Sequence, residues 1–149
     1  MQTTGDKAFV DTNILLRAIM PQMTLHKQAE GLIQSMWDND VDLWISPQVI
    51  REYLVQATHP ATFNPPLTLQ QVLTQLETIQ SLFRVADENG DVTAQLLALI
   101  KTYSISGKQI HDANIIATML TYNIKTWLTF NTVDMHRFEP QIMLYQHTS

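Results

Sequence analysis

The sequence predicts an α/β fold of the doubly wound type, with a parallel sheet covered by helices on both faces. Short apolar runs alternate with longer stretches of helical periodicity along the whole chain. Strands separated by helix-length segments imply right-handed crossovers, and these make neighbouring strands parallel. The first apolar run, Ala8-Phe9-Val10, leads straight into an acid, Asp11. In open α/β sheets, ligands sit at the carboxyl ends of the strands, so that acid marks the edge to watch.

Each element has its own signal. Ala8 to Asp11 reads as a short buried strand, and Ile14-Leu15-Leu16 behind it could open a helix. Thr24 to Asn39 carries Leu25, Ala29, Leu32, Ile33 and Met36 at helical spacing, an amphipathic helix opened by Thr24. Asp42 to Ser46 is a second strand. Ser46 and Pro47 then fit the N-cap and first turn of a helix from Pro47 to Ala57. His59 to Pro66 holds three prolines and reads as a loop. Thr68 to Phe83 returns to helical periodicity, and Arg84-Val85-Ala86 reads as a third strand. Asp91 to Tyr103 and Lys108 to Tyr122 are two more helices, separated by a break at Ser104 to Gly107. Lys125 to Phe130 reads as a fourth strand and Ile142 to Tyr145 as a fifth.

Length and composition bound the function. The 149 residues suit one domain, 45% of them hydrophobic and 15% charged. The absence of cysteine excludes a disulfide scaffold, a zinc-thiolate site and a cysteine nucleophile. No apolar run approaches the roughly 20 residues of a membrane span, and the polar start does not resemble a signal peptide. A soluble cytoplasmic protein is the default expectation. The net charge of -5 argues weakly against a general nucleic-acid binder, although acids gathered round a metal lower net charge while attracting cations locally. Trp37, Trp44 and Trp127 are expected in the core.

Four acids fall in comparable places on this map. Asp11 closes the first strand, Glu52 lies about one and a half turns into the following helix, Asp112 sits early in the last helix, and Asp134 follows the fourth strand. Helix starts and strand ends meet at one edge of a parallel sheet. Carboxylates gathered there repel one another unless a divalent cation lies between them, and such oxygen donors favour magnesium or manganese. Each acid also has a plainer reading. Asp11 suits a helix N-cap, Glu52 a solvated helix position, Asp112 a helix N-terminus and Asp134 a turn. His111, beside Asp112, invites a role as general base, but a lone histidine is more often structural or solvent-facing. The remaining acids, Asp38, Asp40, Asp42, Asp87, Glu88 and Asp91, read as caps and solvated turns.

Together these segments resemble the PIN domain family, particularly its VapC-type toxin ribonucleases. The resemblance runs from Phe9 to about Phe138, through Phe9-Val10-Asp11-Thr12-Asn13, Ser46-Pro47-Gln48-Val49-Ile50-Arg51-Glu52, Ile110-His111-Asp112-Ala113-Asn114, and Leu128-Thr129-Phe130-Asn131-Thr132-Val133-Asp134. It implies a single three-layer α/β/α sandwich over residues 1–149 and a Mg2+- or Mn2+-dependent endoribonuclease. By position, Asp11, Glu52 and Asp112 match the family's three typical acids, and Asn13 and Thr129 match polar supports. Many members carry an acid two residues after the strand threonine, where this chain has Asn131. Asp134 then takes the acidic role, and Asp11, Asp112 and Asp134 form the implied metal set. Arg17, Lys108 and Arg137 are assigned to flanking phosphates by proximity. A toxin of this class further implies an RNA substrate, a homodimer and a cognate antitoxin.

Two other readings compete. A catalytically weak PIN-fold module binding protein or RNA is suggested by Asn131 and the low basic content. Phosphotransfer through Asp11 as nucleophile, as in haloacid-dehalogenase-like enzymes, needs a second acid two residues on, where this chain has Asn13.

Overall fold

In the computed structural model, which describes residues 5–131 and the backbone of 143–145, the first apolar run forms β1 (Lys7–Val10). Its Ala8, Phe9 and Val10 are fully buried, as a strand covered on both faces requires. Then follow α1 (Thr12–Ile19), α2 (His26–Asp38), β2 (Asp42–Ile45), α3 (Pro47–Ala57), α4 (Leu69–Leu82) and β3 (Arg84–Val85). The chain continues through α5 (Gly90–Tyr103), α6 (Gln109–Thr121), β4 (Thr126–Leu128) and β5 (Met143–Tyr145).

These strands make one parallel sheet in the order β3-β2-β1-β4-β5. The chain winds outward from β1 through β2 to β3, then crosses back to β4 on the other side of β1. That reversal makes the carboxyl end of β1 a topological switch point, where a crevice opens between strands whose connections run in opposite directions. The right-handed rule assigns α1–α4 to one face and α5–α6 to the other. The packing of α1 on α2 and α3, and of α5 on α6, agrees. The predicted three-layer sandwich is therefore the observed one.

One continuous core fills both interfaces with the sheet. Phe9, Ile14, Leu15, Leu16, Ile45, Ile116 and Trp127 are fully buried, and each contributes about 1.5–3 kcal/mol by leaving water. Of the three tryptophans only Trp127 is in this interior. Trp37 and Trp44 are half-buried at its margin, where they pack against Phe83 and Tyr122.

Two predicted boundaries need correction. Thr24 does not open α2: Leu25 occupies the N-cap position in left-handed backbone, without a side-chain cap bond. The start is set instead by His26, whose Nδ1 lies 2.7 Å from the Arg17 carbonyl at the end of α1. The fourth strand is shorter than Lys125 to Phe130, because Thr129 to Asn131 leave the ladder for bonds with polar side chains at the site. Ser46 is at the N-cap of α3 with Pro47 behind it, yet its hydroxyl makes no cap bond.

Other caps are made as their residue types dictate. Thr68 and Gln71 form a reciprocal capping box at α4. At α5 the Asn89 side chain accepts from the amides of Asp91 and Val92. Asn89→Ala should cost about 1 kcal/mol, read as a lower midpoint in urea with an unchanged slope.

Candidate active site

The site grows from the switch point. Asp11 follows β1, and its amide donates to the Leu128 carbonyl (3.0 Å), continuing the ladder with β4 for one more residue. Its side chain then caps α1 by accepting from the Thr12 amide at 2.8 Å. The helix cap and the candidate site acid are thus the same residue. The second carboxylate oxygen accepts from the Thr129 hydroxyl, also at 2.8 Å.

Thr129 is a junction. While donating to Asp11, its oxygen accepts from the Asn13 side-chain amide (3.2 Å) and from the Asn131 backbone amide (3.0 Å). A hydroxyl has one hydrogen and two lone pairs, so all its capacity is used. Asn13 completes the loop by accepting from the Phe130 amide at 3.2 Å. Asn13 and Thr129, expected as polar supports, together hold the start of α1 against the end of β4. Asn131 enters through its backbone, with its side chain at an exposed position.

Glu52 is half-buried on α3 and held by two donors. Thr12 Oγ1 donates to one oxygen and Gln48 Nε2 to the other, at 2.8 and 2.9 Å. The bland reading of Glu52 as a solvated position is excluded by these bonds. Its neighbour Arg51 points elsewhere, to Glu88 at 3.4 Å. Glu88 also accepts from Asn114, so it belongs to a polar network and not to a solvated turn.

The electrostatics follow from burial. Asp11 is 8% exposed, and its carboxyl is raised from 3.8 to about 6, chiefly because burial strips water from the charged form. The bonds from Thr129 and Thr12 oppose that shift, while the charges of Glu52 and Asp112 add to it. Asp112, in the first turn of α6, thus acts on Asp11 across the sheet edge. A cation there would relieve both the desolvation and the repulsion.

The structure therefore brings Asp11, Glu52 and Asp112 to one edge, with Asn13, Thr129 and Asn131 around them. Asp134 and Arg137 lie outside the described residues. Arg17, one turn beyond Asn13, donates to the Asn13 carbonyl and lies over the Phe130 ring. Lys108 is exposed at the start of α6, as is His111. Sequence reasoning missed Thr12, Gln48 and Asn114. The four-residue spacing of Gln48 and Glu52 on one helix face was the available signal.

Among the described residues, no three histidine, cysteine or acidic groups converge tightly enough to hold an ion as a set. Magnesium, however, commonly takes one or two carboxylates and keeps several waters. The hard-oxygen donors at this edge suit such an ion, and Asp11 carries the electrostatic imbalance it would correct. No helix among the described residues is long and apolar enough to cross a membrane.

Comparison with known proteins agrees with this fold. Three solved structures superpose over nearly the whole chain. VapBC2 from Rickettsia felis, bound to a promoter DNA fragment, is 19% identical with a TM-score of 0.66, covering 94% of this chain and 98% of its own. VapC20 from Mycobacterium tuberculosis, a sarcin-ricin loop cleaving toxin, is 15% identical with a TM-score of 0.62, covering 87% and 94%. A toxin-antitoxin complex from Klebsiella pneumoniae is 20% identical with a TM-score of 0.63, covering 95% and 98%. At such identities the likeness establishes the shared fold. No curated protein sequence matches the chain significantly. The PIN domain family model matches residues 8–139, which take in all of β1 but Lys7, the acids at its edge and the six helices of the described residues, and the chain belongs to the PIN domain family.

Proposed function

We propose that this protein is a Mg2+- or Mn2+-dependent endoribonuclease, the toxin of a toxin–antitoxin pair, that hydrolyses RNA phosphodiester bonds. The observation that carries the proposal is a buried carboxylate, Asp11, at the switch point of the sheet and under repulsion from Glu52 and Asp112. Membership of the PIN family supports the hydrolytic reading, as does likeness to one protein described as a sarcin-ricin loop cleaving toxin and another solved as a toxin-antitoxin complex.

In this reading Asp11, Asp112 and Asp134 would hold the cation, and Glu52 would orient an attacking water. A bound divalent ion lowers the pKa of water and neutralises charge developing on the phosphate. The protein's own contribution is preorganisation. Thr129 and the Thr12 amide fix both oxygens of Asp11, and Thr12 and Gln48 fix both oxygens of Glu52. Asn13 and Asn131 hold Thr129 in place. Arg17, tied back to the Asn13 carbonyl, offers a cation to a flanking phosphate. The remaining partners are a cognate antitoxin and a second copy of the chain, and the compartment is the cytoplasm.

Incubating the protein with a pool of structured and single-stranded RNAs tests the proposal. Discrete products should form with Mg2+ or Mn2+ and vanish in EDTA. Asp112→Asn should reduce cleavage by roughly 100-fold or more, since losing a few kcal/mol of charge stabilisation has that effect. Undiminished cleavage by Asp112→Asn protein would overturn the assignment.

A further inference from the structure

Gln48 is the second residue of α3, is 4% exposed, and commits three of its four hydrogen-bonding sites, both donors and one acceptor, at the acidic edge. Its amide nitrogen donates to Glu52 Oε1 and to the His111 carbonyl, both at 2.9 Å. Its oxygen accepts from the Asn114 side-chain amide, again at 2.9 Å. Those partners force one orientation. A carboxylate and a carbonyl only accept, so the NH2 group must face them. Asn114 is oriented in turn, because its nitrogen also donates to Glu88 at 3.2 Å. Neither the Gln48 nor the Asn114 amide can flip without setting acceptor against acceptor.

The three groups that Gln48 joins come from two helices. Glu52 belongs to α3, while His111 and Asn114 flank Asp112 in the first turns of α6. We propose that Gln48 is a positioning residue that fixes the spacing between Glu52 and the Asp112 turn, and thereby sets the affinity of the edge for a divalent cation. The inference rests on the metal-dependent reading above and deepens it. Partners behind a metal's direct ligands typically govern affinity by about 10- to 100-fold when removed. Here the effect acts through geometry, because Gln48 carries no charge.

That distinction supplies the test. Mn2+ affinity is measured by electron paramagnetic resonance of the free ion, on the full chain, for wild type, Gln48→Met, Gln48→Glu and Asp11→Asn, with the melting temperature of each metal-free protein recorded. Gln48→Met keeps the volume and removes all three bonds, so it should weaken Mn2+ binding by about tenfold. Gln48→Glu adds a negative charge but sets a carboxylate against Glu52 and the His111 carbonyl. Positioning predicts weaker binding for it, whereas a purely electrostatic role predicts tighter binding. Asn114→Ala, at a half-buried position, should lower affinity by a smaller factor and serves if Gln48→Met does not fold.

Wild-type affinity in Gln48→Met, or tighter binding by Gln48→Glu, overturns the inference while leaving the metal site standing. For an unfolded Gln48→Met, unchanged affinity in Asn114→Ala does the same. Absence of Mn2+ binding by wild type, or unchanged binding by Asp11→Asn, overturns the metal reading itself and this inference with it.

Discussion

Asp11→Asn protein, free of metal, is expected to melt about 3–6 °C above wild type near neutral pH while losing RNA cleavage by roughly a thousand-fold. The two effects have one cause. Wild-type Asp11 must be charged to bind a cation, yet burial and the charges of Glu52 and Asp112 make that charge costly. Raising the carboxyl from 3.8 to about 6 corresponds to roughly 3 kcal/mol of destabilisation once it is ionised. Asparagine removes the charge and keeps one oxygen for the Thr12 amide, but it cannot satisfy Thr129 as a carboxylate does. A net gain of about 1–2 kcal/mol is therefore expected.

The pH dependence gives the sign independently. The folded protein retains this proton up to about pH 6, while the unfolded chain releases it near 3.8. The folded state binds more protons in that window, so wild-type stability falls as pH rises through it. Asparagine does not titrate. The gap between the two melting temperatures should open between about pH 4 and 6 and stay constant above, as calorimetry at a series of pH values will show. Such a cost in stability is a common arrangement at functional sites.

Thr129→Val should carry a large effect on both stability and the pH profile. Valine matches the shape of threonine but leaves Asp11 Oδ2 without its donor and removes the acceptor for Asn13 and the Asn131 amide. Thr129 is 1% exposed, so water does not replace the lost bond to Asp11. The cost in stability should be about 1–3 kcal/mol. The hydroxyl also lowers the Asp11 pKa, so its removal moves that value above about 6 and shifts the acid limb of the cleavage profile to higher pH. Thr129→Ser restores the hydroxyl and should return the profile to that of wild type. A pH–rate series on the three proteins checks this, and an unmoved limb in Thr129→Val would separate Thr129 from the chemistry.

Much of this arrangement is legible in the residues themselves. The run ending at Asp11 announces a buried strand and its acid, because apolar periodicity and a terminal carboxylate are both local. Helix α3 is announced by Ser46-Pro47, and α4 by Thr68, for the same reason. The start of α2 departs from the Thr24 cap that the sequence suggests, and a tertiary contact, His26 on the Arg17 carbonyl, lies there instead. Thr12, Gln48 and Asn114 were missed because their roles depend on partners 40 to 66 residues away. Glu88 looks like a turn residue until Asn114 and Arg51 meet it. The cap reading of Asp11 holds, since one oxygen caps α1, while the other meets Thr129 from 118 residues away.

The central claim is that the acids at the end of β1 hold a divalent cation. Its most direct test is the melting temperature of wild type and Asp11→Asn across a Mn2+ titration at pH above the Asp11 value of about 6. Binding to the folded state stabilises by about 2.7 kcal/mol at a hundredfold excess over Kd. Wild type should therefore rise steadily with added ion and overtake Asp11→Asn, whose melting should stay flat. Parallel rises in both proteins, or none in either, would contradict the account.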